Sequence, residues 1–198
     1  SKDIAAVLSD KKVDTVLVGP GLGSCDWAKR VLKECIQTQV PVVIDADALA
    51  LVAESSLVLS ENMVITPHAG EAAKMLKCES REINHNRFSA CEALQNKYHA
   101  RVVLKGAGTL IGWSEKEKNI VDFASETLSV AGSGDLLAGM IAGLIAQKIP
   151  MNIAVYEAVL IHINLALLCE KQAGGRGMLV SEMLAYIPKI KNREGKNK

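Results

Sequence analysis

The sequence predicts an α/β fold: a mostly parallel sheet with helices on both faces, three layers in all (α/β/α). Three observations predict it. Short apolar runs recur along the 198 residues, each stopped by glycine, proline or aspartate. Between them lie longer stretches with helical spacing, which is the alternation of βαβ units and parallel strands. Hydrophobic residues make up 49% of the chain but aromatics only 4%. The core must therefore be built from Val, Ile, Leu, Met and Ala, which suits strands buried on both faces.

In chain order, Val13–Gly19 reads as a buried strand ended by glycine and proline. Asp26–Gln37 reads as a helix with Trp27, Val31, Leu32, Cys35 and Ile36 on its apolar face. Val42–Ile44 is a second strand, and Asp47 is placed to cap a short helix running to about Glu54. Met63–Thr66 is a strand closed by Pro67, followed by a helix over Gly70–Leu76 and a longer polar helix over Ser80–Lys97. Arg101–Lys105 is a strand that Gly106-Ala107-Gly108 turns into Thr109–Gly112, with Asn119–Phe123 extending the antiparallel ribbon. Helices over Gly134–Gln147, Met151–Lys171 and Ser181–Ile190 finish the chain. The small residues Ala138, Gly139, Ala142 and Gly143 are expected to pack the first of these closely on the sheet.

Charge and cysteine usage exclude several functions. The formal net charge is +1, with 23 basic and 22 acidic residues, so no overall field favours nucleic acid or a membrane surface. The basic tail Lys189–Lys198 reads as a solvated, frayed end. Five widely spaced cysteines with no C-x-x-C argue against a disulfide scaffold or structural zinc and for a reducing compartment. No apolar run reads as long enough to span a bilayer, and no signal peptide is visible.

In an open α/β sheet, ligands gather at the carboxyl ends of the strands. The turn Val130-Ala131-Gly132-Ser133-Gly134-Asp135 opens a helix. Glycines let the backbone approach a ligand closely, and the helix start offers unpaired N–H groups to an anion. Asp135, in the first turn, can take a proton from a hydroxyl that attacks a phosphoryl group. Gly19-Pro20-Gly21-Leu22-Gly23, Thr66-Pro67-His68-Ala69-Gly70-Glu71 and Lys105-Gly106-Ala107-Gly108-Thr109 each follow a strand as well. Lys105 could neutralise phosphate charge, and Glu71 could hold Mg²⁺ through water. Taken singly, each of these also fits a plain turn. Asp45 ends a strand but suggests no role, and His162 reads as a packed core histidine. The chain has no G-x-x-x-x-G-K-[ST], and Gly132, Gly134 and Gly139 do not make G-x-G-x-x-G.

The order of these pieces carries more than any one of them. V-G-P-G-L-G, I-D-A-D-A-L, I-T-P-H-A-G-E, V-L-K-G-A-G-T and A-G-S-G-D-L-L-A-G follow one another, and G-G-R-G-M-L-V-S-E-M-L-A-Y-I-P comes last. The series, from about Val13 to Pro188, resembles the ADP/ATP-dependent NAD(P)H-hydrate dehydratase family, which has the ribokinase-like fold. The resemblance implies a lyase that repairs hydrated NADH or NADPH by phosphorylating the ring hydroxyl and eliminating phosphate. ADP or ATP would be the phosphoryl donor, with Mg²⁺ as cofactor.

On that resemblance Asp135 is the base and also touches the substrate, and Gly132, Ser133 and Gly134 cradle the phosphate. Lys105, Gly106, Ala107, Gly108 and Thr109 bind the adenine nucleotide; Gly21, Gly23 and His68 face the hydrated dinucleotide; Glu71 serves a Mg²⁺ water shell. A single cytoplasmic catalytic domain over residues 1–198 is implied, assembled as a homo-oligomer, a tetramer, with no nucleic-acid or membrane partner. Two features depart from the family. A preceding segment with G-S-x-x-Y-x-G-A is missing, which is expected to leave a sheet edge unpaired, and Ile163 stands where a glycine usually follows the histidine. The alternatives are a small-molecule kinase of the same superfamily, acting on a sugar, hydroxymethylpyrimidine or thiazole alcohol, and an inactive truncated nucleotide-binding module.

Overall fold

Six short strands form one sheet in the computed structural model, which describes residues 4–9, 12–113, 118–121, 126–173 and 179–194. The strands are β1 (Val16–Val18), β2 (Val42–Ile44), β3 (Met63–Ile65), β4 (Arg101–Leu104), β5 (Thr109–Gly112) and β6 (Lys118–Val121). They lie side by side in sequence order. β1 to β4 are parallel, with Val16 opposite Val42, Val43 opposite Val64 and Val64 opposite Arg101. β5 and β6 continue antiparallel, with Val103 opposite Ile111 and Leu110 opposite Ile120. β1 is an edge strand, bonded to β2 alone among the described residues.

The helices are α1 (Ile4–Leu8), α2 (Asp26–Ile36), α3 (Asp47–Glu54), α4 (Ala69–Leu76), α5 (Ser80–His85), α6 (Arg87–Tyr98), α7 (Ser133–Ala146), α8 (Met151–Ala173), α9 (Val180–Leu184) and α10 (Ile187–Glu194). A short 3₁₀ turn covers Glu126–Ser129. Side chains alternate across a strand, and this splits the core in two. Val42, Ile44, Met63, Ile65, Val102 and Leu104 pack with α2, α3, α4 and α6. Val43, Val64, Val103 and Ile111 pack with α7 and α8. All three residues of β2 and of β3 are buried, as in a sheet covered on both faces. The three-layer expectation is met.

Several details differ from the sequence reading. Trp27 is 49% exposed, because the stripe that faces the core runs through Ala28, Leu32 and Cys35 at i, i+4, i+7. The polar helix expected over Ser80–Lys97 is two helices. Asn86 leaves the helical region and its side chain accepts from Ser89 N–H, capping α6. The last helix also divides. Pro188 cannot follow helically bonded residues without meeting the carbonyl four places back, that of Leu184, where α9 stops. The basic tail is helical through Glu194 rather than frayed, and residues 195–198 lie outside the described residues. So do Asp122 and Phe123 of the expected ribbon and the stretch Gly174–Met178 of the last motif. α1 was not expected.

On α7, Ala138 and Ala142 do face the core, but Gly139 and Gly143 point outward. A β-carbon placed on either would meet nothing within 4 Å. α8 corrects the expectation that no apolar run could span a bilayer. Met151–Gln172 is long and apolar enough by length and composition, with mean hydropathy 1.7. Half of that window is nevertheless buried in this fold, where Ala154, Val155, Ala158 and Val159 pack against α7 and the sheet.

Candidate active site

The loops after β1, β2, β3 and β4 meet at one end of the sheet. β1 hands over to the first loop at Gly19, with φ +133°. A β-carbon there would fall 1.7 Å from the carbonyl oxygen of Asp45, so only glycine lets the first loop pass over the end of β2. Asp45 follows β2 and is 1% exposed. Ala46 then takes φ 48°, ψ −125°, and α3 starts at Asp47. This corrects the expected cap: Asp47 makes no cap bond, and its carboxylate accepts instead from the Gly23 N–H at 2.8 Å. A non-glycine residue in that backbone region carries strain of about 1–3 kcal/mol. Glycine adds unfolded-chain entropy of about 0.4–1 kcal/mol. Ala46→Gly is therefore expected to stabilise the fold by about 1 kcal/mol, read as a higher denaturation midpoint.

Lys105 leaves the end of β4, held by its backbone N–H on the Pro67 carbonyl at 2.8 Å. Its ammonium lies 2.8 Å from Asp45 Oδ1 and 3.8 Å from Glu71 Oε2. The same nitrogen stands against the start of α7, where a β-carbon on Gly134 would be 2.9 Å from Nζ. Gly132 precedes α7 in the left-handed region, φ +85°, and lets the chain turn so that Ser133, Gly134 and Asp135 form the first helical turn. Asp135 is exposed there. A fixed ammonium beside a helix N-terminus is a site for an anion, and a carboxylate one residue on is a proton acceptor.

The loop between β4 and β5 is shaped by Arg87, to which sequence reasoning gave no role. Its guanidinium donates to the carbonyls of Leu104 at 2.8 Å, Gly108 at 3.0 Å and Lys105 at 3.4 Å. Those three bonds gather Lys105–Gly108 into one curve. Beside it opens a cleft of about 670 Å³, bounded by His68 and Gly70, by Arg87, Lys105 and Ala107, and by Val130 and Gly134. Of the predicted site residues, His68, Lys105, Gly106, Ala107 and Gly134 line this cleft. Gly21 and Gly23 do not; the hydrogen bond to Asp47 holds their loop beside the β2–α3 turn. Thr109 opens β5.

His68 and Glu71 cap α4 reciprocally. His68 Nδ1 accepts from the N–H groups of Gly70 and Glu71 at 2.9 and 3.2 Å, and Glu71 Oε2 accepts from the His68 N–H at 2.7 Å. The ring proton therefore sits on Nε2, at the exposed edge of His68. Among the described residues no group of three or more His, Cys, Asp or Glu could hold a metal ion. The residues present do not build a protein cage for resident Mg²⁺. They fit an ion that arrives on nucleotide phosphates and keeps its waters.

Ser133 and His162 form a second, buried pair, with Oγ 3.0 Å from Nε2 and exposures of 2% and 7%. His162 is thus a core histidine, as expected, but one bonded to the turn that opens α7. Burial pushes its pKa down from 6.5 to about 4, opposed by the Ser133 contact and reinforced by the Lys105 charge. In the unfolded chain the ring protonates below pH 6.5, whereas the folded chain resists until about 4. The stabilisation is complete above 6.5 and is lost as pH falls toward 4, by about 3 kcal/mol. His162→Gln is expected to flatten this part of the stability–pH curve, measured by denaturant unfolding at several pH values.

Asp45 and His162 were legible only in part, and Arg87 not at all. Asp45 at a strand end was a signal without a partner, and Arg87 in a polar helix gave none. The five cysteines are all thiols, and burial raises Cys35 to about 11, which leaves it an inert core residue.

A family model described as NAD(P)H-hydrate dehydratase matches residues 1–189. The bifunctional NAD(P)H-hydrate repair enzyme Nnr of Coxiella burnetii is 37% identical over 177 residues, 89% of this chain and 36% of that protein. Its counterpart in Escherichia coli is 35% identical over 181 residues, 91% and 35% respectively. The chain thus spans about a third of the length of these relatives. Among solved structures, the ADP/ATP-dependent NAD(P)H-hydrate dehydratase of Bacillus subtilis, co-crystallized with ATP/Mg²⁺, superposes with TM-score 0.84 at 22% identity, covering 96% of this chain and 69% of that one. A hydroxyethylthiazole kinase protein from Pyrococcus horikoshii OT3 gives TM-score 0.71 at 13% identity, covering 94% and 75%. At these identities the structural likeness establishes the ribokinase-like fold.

Proposed function

The chain belongs to the NAD(P)H-hydrate dehydratase family, and from that premise we propose that it returns hydrated NADH or NADPH to the reduced dinucleotide at the expense of ADP or ATP. The observation that carries this reading is the meeting of three elements at the start of α7: the backbone N–H groups of Gly134 and Asp135 in its first turn, the Lys105 ammonium against Gly134, and the Asp135 carboxylate in the same turn. Hydroxide is a poor leaving group and phosphate a good one. Asp135 takes the proton of the ring hydroxyl, whose oxygen then bonds the terminal phosphorus of the nucleotide as the bond to the nucleotide breaks. The α7 N–H groups and Lys105 offset the charge that builds on the transferred group. Phosphate then leaves the ring carbon while the adjacent ring carbon gives up a proton to water, and this restores the double bond.

The curve Lys105–Thr109 holds the adenine nucleotide, and Gly21, Gly23 and His68 meet the hydrated dinucleotide. Glu71 would hold Mg²⁺ through water, and the ion, carried on the nucleotide phosphates, would offset their charge. A cytoplasmic homo-tetramer is part of the same proposal, and the exposed Ile153, Tyr156 and Leu167 on α8 offer apolar surface for it. The discriminating experiment mixes hydrated NADH, Mg²⁺ and ADP or ATP with the protein and follows the phosphorus. Release of inorganic phosphate supports the lyase. A stable phosphate ester found by mass spectrometry would make the protein a kinase instead.

A further inference from the structure

We propose that the Asp45-Ala46-Asp47 turn is a positioning element that sets both halves of the site, Asp45 by fixing the Lys105 ammonium and Asp47 by fixing the Gly21–Gly23 loop. This rests on reading Lys105 as part of the nucleotide side.

Five observations meet here. Asp45 is a desolvated carboxylate that, among the described residues, pairs with the Lys105 ammonium alone, at 2.8 Å, and whose Oδ2 is buried there without a hydrogen-bond partner. A buried carboxylate held by a single ammonium is poor stabilisation and strong geometry. Lys105 spans from this carboxylate to Gly134, so its nitrogen cannot swing away from the α7 N-terminus without stranding a buried charge. Two residues on, Asp47 accepts from Gly23 N–H at 2.8 Å. Ala46 is held between them at φ 48°, ψ −125°, a strained conformation that sends the flanking carboxylates to different partners. The carbonyl of the same Asp45 seats Gly19, which ties the start of the first loop to the turn.

The role differs from simple scaffolding in its signature. Asp45 acts through Lys105, so the two are coupled, whereas Asp47 acts on the other half. The test titrates ADP by calorimetry into Asp45→Asn, Lys105→Met, the double variant and Asp47→Asn, with a thermal melt of each. Asp45→Asn and Lys105→Met are each expected to weaken ADP by about tenfold, and the double variant by no more than the weaker-binding single. Asp47→Asn should leave ADP affinity within about twofold while raising KM for hydrated NADH several-fold. The double variant leaves no unpaired buried charge, so it reports even where Lys105→Met is too unstable to assay. Additive losses in the double variant, native ADP affinity in Asp45→Asn, or an equal ADP loss in Asp47→Asn would each overturn the proposal. If Lys105→Met and the double variant both bind ADP normally, it is the nucleotide role of Lys105 that fails.

Discussion

Asp135→Asn is expected to lower turnover by about a thousandfold while ADP or ATP binds as before. The substitution keeps the size and shape of the side chain and removes its negative charge and its capacity to accept a proton. Asp135 is exposed in the first turn of α7, so it makes no buried contact whose loss would unfold the chain. The proposed anion site is backbone, at the turn where Gly132 leads into Ser133 and Gly134, and the substitution leaves that backbone in place. Binding and turnover should therefore separate: kcat falls, and nucleotide affinity measured by calorimetry does not. Full activity in Asp135→Asn would remove this carboxylate from the mechanism and leave the site without a base.

Gly19→Ala is expected to destabilise the fold by about 4 kcal/mol or more, enough to unfold a domain of ordinary stability. The added methyl would lie 1.7 Å from the Asp45 carbonyl oxygen and 2.7 Å from its carbon, both backbone atoms that cannot rotate away. The φ of +133° is closed to alanine as well. Relief would have to come from parting the first loop from the end of β2, which displaces Asp45 and with it Lys105. Gly139→Ala is the matched control. That glycine lies within α7 with open space around it, and alanine there is expected to add about 1 kcal/mol. Urea unfolding of the two variants should move the midpoint in opposite directions.

The architecture was legible because its signals were local. Runs such as Val42-Val43-Ile44 and Met63-Val64-Ile65 are apolar at every position, as strands buried on both faces must be, and each ends in a residue that stops it. Boundaries inside helical stretches were less legible, since Asn86 is an unexceptional helix residue until its side chain turns to cap α6. Trp27 was misplaced because a bulky apolar residue next to a stripe looks like part of it.

The glycine-rich turn and the loop that begins at Lys105 could be read from residue type, since backbone approach and a strand-end ammonium are single-residue properties. The groups that organise them could not. Arg87 reaches its carbonyl partners across 17 to 21 residues of chain, and Asp45 finds Lys105 across 60. Asp47 looked like a cap because aspartate before a helical run usually is one, and only the fold shows its carboxylate on Gly23. His162 was rightly read as buried, but its bond to Ser133 joins helices that sequence reasoning had no means to dock.

The most direct measurement is the return of NADH absorbance from hydrated NADH with Mg²⁺, with ADP and ATP added in separate assays. The account predicts recovery that requires one of the two nucleotides and is abolished in Asp135→Asn. No recovery with either nucleotide, from a folded chain that binds them, would contradict it.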